Sequence, residues 1–196
     1  MRAFTRVTKR AFTLVELMIV VAIIGVLAAL AIYGVRRYLA SAKTSEAKNS
    51  AGAITRGAVA AYERETSPSE IIDGALSTVN THSYCGSASK VPSAAVPAAK
   101  KYAPSTTKGA DFDTGDSGNG WKCLRFSVME PMYYQYNYQQ GVGVIAGSGA
   151  DATGFEVSAL GDLDGNGLFS TFARGAVNHN GITVLATEMF IANEFE

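Results

Sequence analysis

The stretch Lys9-Arg10-Ala11-Phe12-Thr13-Leu14-Val15-Glu16-Leu17 decides the fold of this chain, together with the apolar run that follows it to residue 35. Positive charge ends at Arg10, and no charged residue occurs from position 17 to position 35. A transmembrane helix needs roughly 20 mostly apolar residues, so this run is long enough to cross a bilayer. Glu16 is the one carboxylate within the apolar segment, and a charge at that depth is costly unless it has a partner.

The distribution of charge separates the start of the chain from the rest. The 196 residues include 17 Lys and Arg against 17 Asp and Glu, but four of the basic residues precede Phe12, namely Arg2, Arg6, Lys9 and Arg10. Without them, 13 basic residues face 17 acidic ones, which is a formal charge of −4. An acidic remainder of this kind argues against a protein that binds nucleic acid through a basic face.

The apolar run is predicted to be retained in the mature protein. It is longer than the apolar core of a secretory signal peptide, which has about 7 to 15 residues, and no polar cleavage region follows its small residues at 28–31. The four leading basic residues outnumber Arg36 and Arg37 at the other end. The positive-inside rule therefore predicts a single span with the N-terminus in the cytoplasm and the C-terminus outside.

The order of residues from 9 to 32 resembles the N-terminal segment of a type IV pilin precursor or of a related pseudopilin. Basic residues and a small residue precede Phe12-Thr13-Leu14-Val15-Glu16, and the apolar run follows. The resemblance implies that a prepilin peptidase removes the leader 1–11 by cutting between Ala11 and Phe12, and that the new Phe12 amine is N-methylated. It also implies a bacterial inner-membrane precursor, which the pilus assembly machinery builds into an extracellular helical filament of many copies.

Two positions depart from the usual pattern of that family. Ala11 stands where glycine is usual before the cut. Tyr33 stands where many pilins have a proline that kinks the helix, so a bend in this region would have to arise at Gly25 or Gly34.

Glu16 is predicted to act in assembly. Cleavage would make it the fifth residue of a helix, where its carboxylate faces the positive end of the macrodipole. A free Phe12 amine on the same or a neighbouring subunit would pair with it, because an unpaired charge in hydrocarbon costs about 2.5 to 3.5 kcal/mol. The alternative is a glutamate that reaches the interface of an ordinary membrane anchor.

The helical pattern continues beyond the apolar run. No proline occurs from 36 to 67, and one apolar face is formed by Ala51, Ile54, Ala58, Ala61 and Tyr62. The sequence therefore predicts a transmembrane and filament-core helix over 12–35 and its amphipathic half over 36–65. Residues 66–120 are rich in Pro, Ser, Ala and Gly and predict a long loop connection with one short helix near 69–76. This connection is either a contact surface or an inert tether.

Strand signals dominate residues 121–196. Residues 121–129 and 132–139 alternate on either side of a turn and predict a hairpin, and further strands are predicted at 155–160, 168–172 and 182–191. Tyr134, Tyr136 and Tyr138 share one face of a predicted strand and are expected to pack in the sheet. Four or five antiparallel strands covered by the amphipathic half-helix give an α+β head, which the resemblance identifies with the type IV pilin fold.

Cys85 and Cys123 are predicted to form a disulfide. They have no CxxC spacing and no histidine cluster nearby, so a bridge in an oxidising compartment is the better interpretation. Closing that loop is worth about 4 kcal/mol in the chain-entropy model. Two free buried thiols are the alternative.

The sequence Asp-Leu-Asp-Gly-Asn-Gly at residues 162–167 has oxygen ligands at alternate positions, as in the first half of an EF-hand loop. Ala173 stands where the twelfth-position glutamate would be, which excludes a true EF-hand. The pattern predicts either a turn stabilised by calcium through Asp162, Asp164 and Asn166, or a plain Asp/Gly turn.

Catalytic motifs do not occur in the sequence. His82 and His179 are the only histidines, and no GxSxG, HExxH or Gly-rich phosphate loop is present. The sequence therefore predicts a self-assembling structural subunit of a type IV pilus, used for adhesion, surface motility or DNA uptake. The alternatives are a pseudopilin of a type II secretion system, a minor tip pilin whose residues 66–120 bind a surface or DNA, and, more distantly, a membrane-anchored enzyme.

Overall fold

The computed structural model describes residues 12–64 and 82–196. The chain divides into two compact units, Met1–Ala40 and Ser41–Glu196. The predictions for the leader 1–11, including Ala11, and for a short helix near residues 69–76 lie outside the described residues.

The first unit is helical from residue 14 onward. Helix α1 extends over Leu14–Glu63 and therefore continues into the second unit. It is unbroken at Gly25 and Gly34, and apart from the adjacent residues and the backbone of the same helix, no atom lies within 4 Å of the position that a Cβ would take at either glycine. Every residue from Phe12 to Leu39 is exposed.

In the second unit, α1 buries one face against a sheet. Its buried residues are small or β-branched and recur at intervals of one, three and four: Thr44, Ala47, Ala51, Ile54, Thr55, Ala58 and Ala61. This spacing places them on one side of the helix. The amphipathic half-helix predicted from the sequence is thus confirmed, and its small side chains bring the helix axis close to the sheet.

The sheet of the second unit has six antiparallel strands: β1 (Ala88–Val91), β2 (Tyr134–Gln140), β3 (Phe155–Gly161), β4 (Ser170–His179), β5 (Ile182–Leu185) and β6 (Phe190–Ala192). Their order is β1-β2-β3-β4-β5, and β6 pairs with β4 next to β5. Tyr136, Ala159 and Phe172 are aligned across the three central strands and are fully buried. Helix and sheet together confirm the predicted α+β class.

The predicted hairpin over 121–129 and 132–139 is wrong in its first arm. Residues Gly120–Leu124 form a short helix, α2, whose Trp121 and Leu124 are buried. Gly120 and Arg125 both have positive φ, which turns the chain at each end of this element. The alternating residues therefore pack a single helical turn into the core instead of lining two faces of a strand.

The other strand predictions differ in extent. β1 lies within the predicted connection and was missed because four residues give no readable period. β4 is longer than the predicted 168–172, and the single strand predicted at 182–191 is two strands, β5 and β6. The described part of the connection, from residue 82, also contains a 3-10 turn at Asp111–Asp113.

Aromatic rings fill the core of the second unit. Phe112 packs edge-on against Trp121 and Phe126, and Phe155 packs against Tyr84 and Tyr138. As predicted, Tyr134, Tyr136 and Tyr138 are packed inside the sheet layer and are completely buried. Burial raises the pKa of Tyr134 to about 12 and also raises the pKa of Tyr136 and Tyr138, so all three are protonated at neutral pH.

Candidate functional site

The start of α1 is closed by reciprocal hydrogen bonds between Thr13 and Glu16. The Glu16 carboxylate accepts from the Thr13 backbone N–H at 2.9 Å and from the Thr13 hydroxyl at 2.7 Å. The Glu16 backbone N–H donates to the Thr13 hydroxyl oxygen at 3.2 Å. This is a capping box, which satisfies amides that have no partner within the first turn of a helix.

The capping box gives Glu16 a second role beside the predicted one. In the isolated chain the carboxylate is bound to Thr13, and among the described residues no lysine or arginine forms an ion pair with it. Phe12, the first described residue, is 75 % exposed and precedes the cap directly. The predicted pairing of Glu16 with a Phe12 amine stays a prediction. Thr13 was missed at the sequence level, although Thr-x-x-Glu ahead of an apolar run is a known cap signature.

The apolar residues of the first unit form a continuous exposed surface. They surround the helix instead of forming one stripe, and every residue from 12 to 39 is exposed. By length and composition, α1 contains the one segment of the described chain able to cross a membrane. A helix that is hydrophobic all round requires an apolar environment, which a bilayer or other helices can supply.

The disulfide predicted between Cys85 and Cys123 is present, with the Cα atoms 5.8 Å apart. Cys123 lies on α2 rather than on a strand, so the bridge joins the segment before β1 to this short helix. Both cysteines are buried. The Trp121 indole N–H donates to the Ser89 carbonyl at 2.8 Å and holds the same helix against β1.

The predicted calcium turn is organised by its own hydrogen bonds. Asp162 is buried, and its two carboxylate oxygens accept from the backbone N–H groups of Gly165 at 2.6 Å and Gly167 at 3.1 Å. Asp164 accepts from the backbone and side-chain N–H groups of Asn166 at 3.1 and 2.9 Å. Within the described ranges no three His, Cys, Asp or Glu side chains are grouped so as to hold a metal ion. The calcium prediction, which includes the Asn166 oxygen, stays a prediction.

The two histidines lie apart from these features. His82 Nδ1 is 2.9 Å from the Tyr62 carbonyl oxygen, and its ring packs against that of Tyr62. His179 is exposed at the end of β4.

The similarity to known proteins covers only part of the chain and includes its start. A family model described as the prokaryotic N-terminal methylation motif matches residues 6–32. Fimbrial protein EcpC of Eikenella corrodens is 52% identical over 54 residues, which are 28% of this chain and 35% of that relative's length. The match thus spans about a third of the relative. No solved structure matches the chain.

A long apolar N-terminal helix and an antiparallel sheet define an α+β protein of type IV pilin-like architecture. The methylation motif and the similarity to a fimbrial protein over 54 residues support a type IV pilin. The motif and the helix also fit a precursor that is anchored in a membrane before it assembles outside the cell.

Proposed function

We propose that this chain is a structural subunit of a type IV pilus, which assembles with further copies of itself into an extracellular helical filament. The observation that supports this most directly is the exposed apolar surface of residues 12–39, most of which lies within the methylation motif at residues 6–32. Such a surface is stable only in lipid or among other helices. Both environments occur in succession when a membrane precursor enters a filament.

The steps at the N-terminus follow from the same proposal. The precursor spans the inner membrane with its N-terminus in the cytoplasm, and prepilin peptidase cleaves it between Ala11 and Phe12. The Phe12 amine is methylated and keeps its charge. As a subunit enters the filament, its Glu16 carboxylate forms an ion pair with the Phe12 amine of a neighbour. This pairing neutralises both charges in an apolar layer.

The filament serves adhesion, surface motility or DNA uptake, and the second unit supplies the surface that meets the surroundings. The chain has no enzymatic role in this proposal. A pseudopilin filament of a type II secretion system and a minor tip pilin with a binding role are the competing assignments, since both would have the same N-terminal segment.

The test is mass spectrometry of filaments sheared from the surface of cells that produce the full chain. A dominant protein whose N-terminal peptide starts at methylated Phe12 is the expected result. Trace amounts would instead indicate a minor pilin, and absence from the sheared fraction with retention in the periplasm or membrane would indicate a pseudopilin. A chain still starting at Met1 in assembled filaments would contradict the cleavage step.

A further inference from the structure

Three arginines line one cleft of the second unit. The cleft has a volume of about 430 Å³ and lies between the C-terminal part of α1 and α2, with the side chains of Arg56, Arg64 and Arg125 at its border. Its floor contains the apolar residues Leu124 and Phe126. Gly57 lets the two helices approach closely here, because a Cβ at that position would lie 2.5 Å from the Leu124 carbonyl oxygen.

The positive charge of this cleft is not neutralised within the described chain. Arg64 donates a hydrogen bond to the Cys123 carbonyl oxygen at 2.5 Å, and the two ion pairs of the described residues, Lys48 with Glu194 and Lys122 with Asp113, lie elsewhere. Burial, together with the nearby positive charge of Arg125, lowers the pKa of Arg64. Guanidinium groups that line one cleft and have no ion-pair partner among the described residues are suited to binding carboxylates or other anions.

The second unit also has a negative group without a cation. The side-chain N–H group of Asn166 lies 2.9 Å from a carboxylate oxygen of Asp164 and 2.9 Å from one of Glu196, so the two carboxylates converge on a single amide. No lysine or arginine of the described residues forms an ion pair with either of them. This acidic pair and the arginine cleft have opposite charges.

The two groups do not form an ion pair with each other within the described chain. The arginine cleft borders α2, which lies against β1, whereas Asp164 lies in the turn after the central strand β3 and Glu196 follows β6 at the other side of the sheet from β1. From β1 to β6 the sheet spans four strand spacings, or about 19 Å. A contact between them therefore requires a second copy.

We propose that the arginine cleft of one subunit binds the Asp164 and Glu196 carboxylates of a neighbouring subunit. This inference rests on the proposed function and names a contact between heads in the filament. A contact between two different surfaces of the same chain leaves one of each free at the ends. It therefore continues into a ring or an open helical assembly instead of closing into a symmetric dimer, and a filament requires the open form.

A charge reversal in cells that produce the full chain tests the contact. Arg56→Glu with Arg125→Glu is expected to reduce sheared filaments at least tenfold, and Asp164→Lys with Glu196→Lys to reduce them similarly. Combining all four substitutions is expected to restore at least half of the wild-type amount. The matched control is Lys90→Glu with Lys100→Glu, which reverses two exposed lysines outside the cleft and should leave the amount within twofold. A non-reducing gel that reports the Cys85–Cys123 disulfide verifies that each variant folds.

Crosslinking gives an independent readout. Arg125→Cys with Glu196→Cys, treated in filaments with a short bismaleimide, is expected to give a ladder of covalent oligomers, while each single variant stays monomeric. Unchanged filaments after arginine reversal, a dimer without higher oligomers, or no crosslink would overturn the inference and leave the proposed function intact. If filaments are lost after the arginine reversal and the added acidic reversal does not restore them, the inference is also overturned. That result would point to another occupant of the cleft, such as the acidic side chains of residues 65–81. Wild-type cells without filaments of this chain would remove the proposed function itself.

Discussion

The Glu16 carboxylate is bound to Thr13 in the isolated chain and is proposed to bind a neighbour's Phe12 amine in the filament. Two substitutions separate the roles. Glu16→Gln keeps an acceptor for the cap but loses the charge, and we expect its incorporation to fall at least tenfold when it is produced together with the wild type. Thr13→Ala removes the cap at a cost of about 1 kcal/mol, and we expect at least half of the wild-type incorporation. Quantitative mass spectrometry of mixed filaments measures both, and the reverse order would refute a role for the charge.

Glu46 is a half-buried carboxylate whose titration is expected to make the stability of the head depend on pH. It accepts a hydrogen bond from the Tyr133 backbone N–H at 2.9 Å, and burial raises its pKa above the ordinary value of 4.5. A carboxyl whose pKa is raised by folding favours the folded state below its unfolded pKa, and this contribution is lost as the pH rises through the folded pKa. The melting temperature of Glu46→Gln minus that of the wild type should therefore increase as the pH rises from 4 to 7.

Thermal unfolding of the full chain in detergent measures this difference at several pH values. The control is Glu130→Gln, which removes a carboxylate at an exposed position. A Glu46→Gln difference that narrows as the pH rises would contradict the direction of the pKa shift.

The residues predicted from the sequence are those whose chemistry is anomalous in its surroundings. Glu16 is conspicuous as a carboxylate in an apolar run, and Cys85 and Cys123 are the only cysteines. Thr13 was also detectable, because its partner is three residues away. Glu46 and Arg125 were not, since their partners lie 87 residues away at Tyr133 and 61 residues away at Arg64 and become neighbours only in the folded head.

At the scale of elements, two glycines of α1 provide a matched test of how the helices pack. A Cβ at Gly57 would lie 2.5 Å from the Leu124 carbonyl oxygen, whereas at Gly52 it would meet only the end of the Arg56 side chain at 3.5 Å. Gly52→Ala should stabilise the head by up to about 1 kcal/mol through helix propensity. Gly57→Ala should lose about 1 to 2 kcal/mol, because forcing α1 and α2 apart outweighs that gain. Chemical denaturation measures the free energy of unfolding of both variants. Equal stabilisation by the two substitutions would mean that α2 can move to make room for the Cβ.

The turn between β3 and β4 tests the calcium prediction. Asp162→Ala removes the acceptor for the Gly165 and Gly167 amides and should cost about 1 to 3 kcal/mol in the absence of calcium. Millimolar calcium is expected to raise the melting temperature of the wild type and not that of Asp162→Ala with Asp164→Ala. Asp151→Ala is the control, because Asp151 also organises a loop by accepting from Thr153. A wild type that does not respond to calcium would leave the turn as a plain Asp/Gly turn.

Elements whose residue pattern repeats over many positions were predictable, whereas elements of only a few residues were not. The spacing of Ala47, Ala51, Ile54 and Ala58 repeats over several turns, so it specifies the buried face of α1 without tertiary information. Residues 121–129 have only a few alternating positions, which a strand and a single helical turn fit equally well. The cluster of Phe112, Trp121 and Phe126, joined by the disulfide, decides in favour of the helix.

At the scale of the whole molecule, the two units differ in where their apolar residues lie: exposed in the first unit and buried in the second. The buried core consists of residues from Ala47 onward, whereas residues 12–39 are exposed and apolar. Residues 41–196 thus contain the core, the disulfide and the whole sheet. We expect residues 41–196, produced in an oxidising compartment, to fold as a soluble monomer with a cooperative thermal transition. The chain from residue 12 should require detergent or a bilayer, because burying its apolar side chains recovers roughly 25 cal/mol per Å² removed from water.

Size-exclusion chromatography and circular dichroism of both proteins measure this difference. A matched control is the chain from residue 12 with Leu17, Val21, Ile24 and Leu27 changed to Gln, which breaks the apolar surface but leaves the head untouched. This variant should need less detergent than the unchanged chain, because one side of its helix is polar, and it should melt like residues 41–196. Aggregation of residues 41–196 alone would show that the head needs the first unit to fold, and detergent-free solubility of the unchanged chain from residue 12 would contradict an apolar environment for its helix. The expected result assigns the need for an apolar environment to the first unit and the capacity to fold in water to the second.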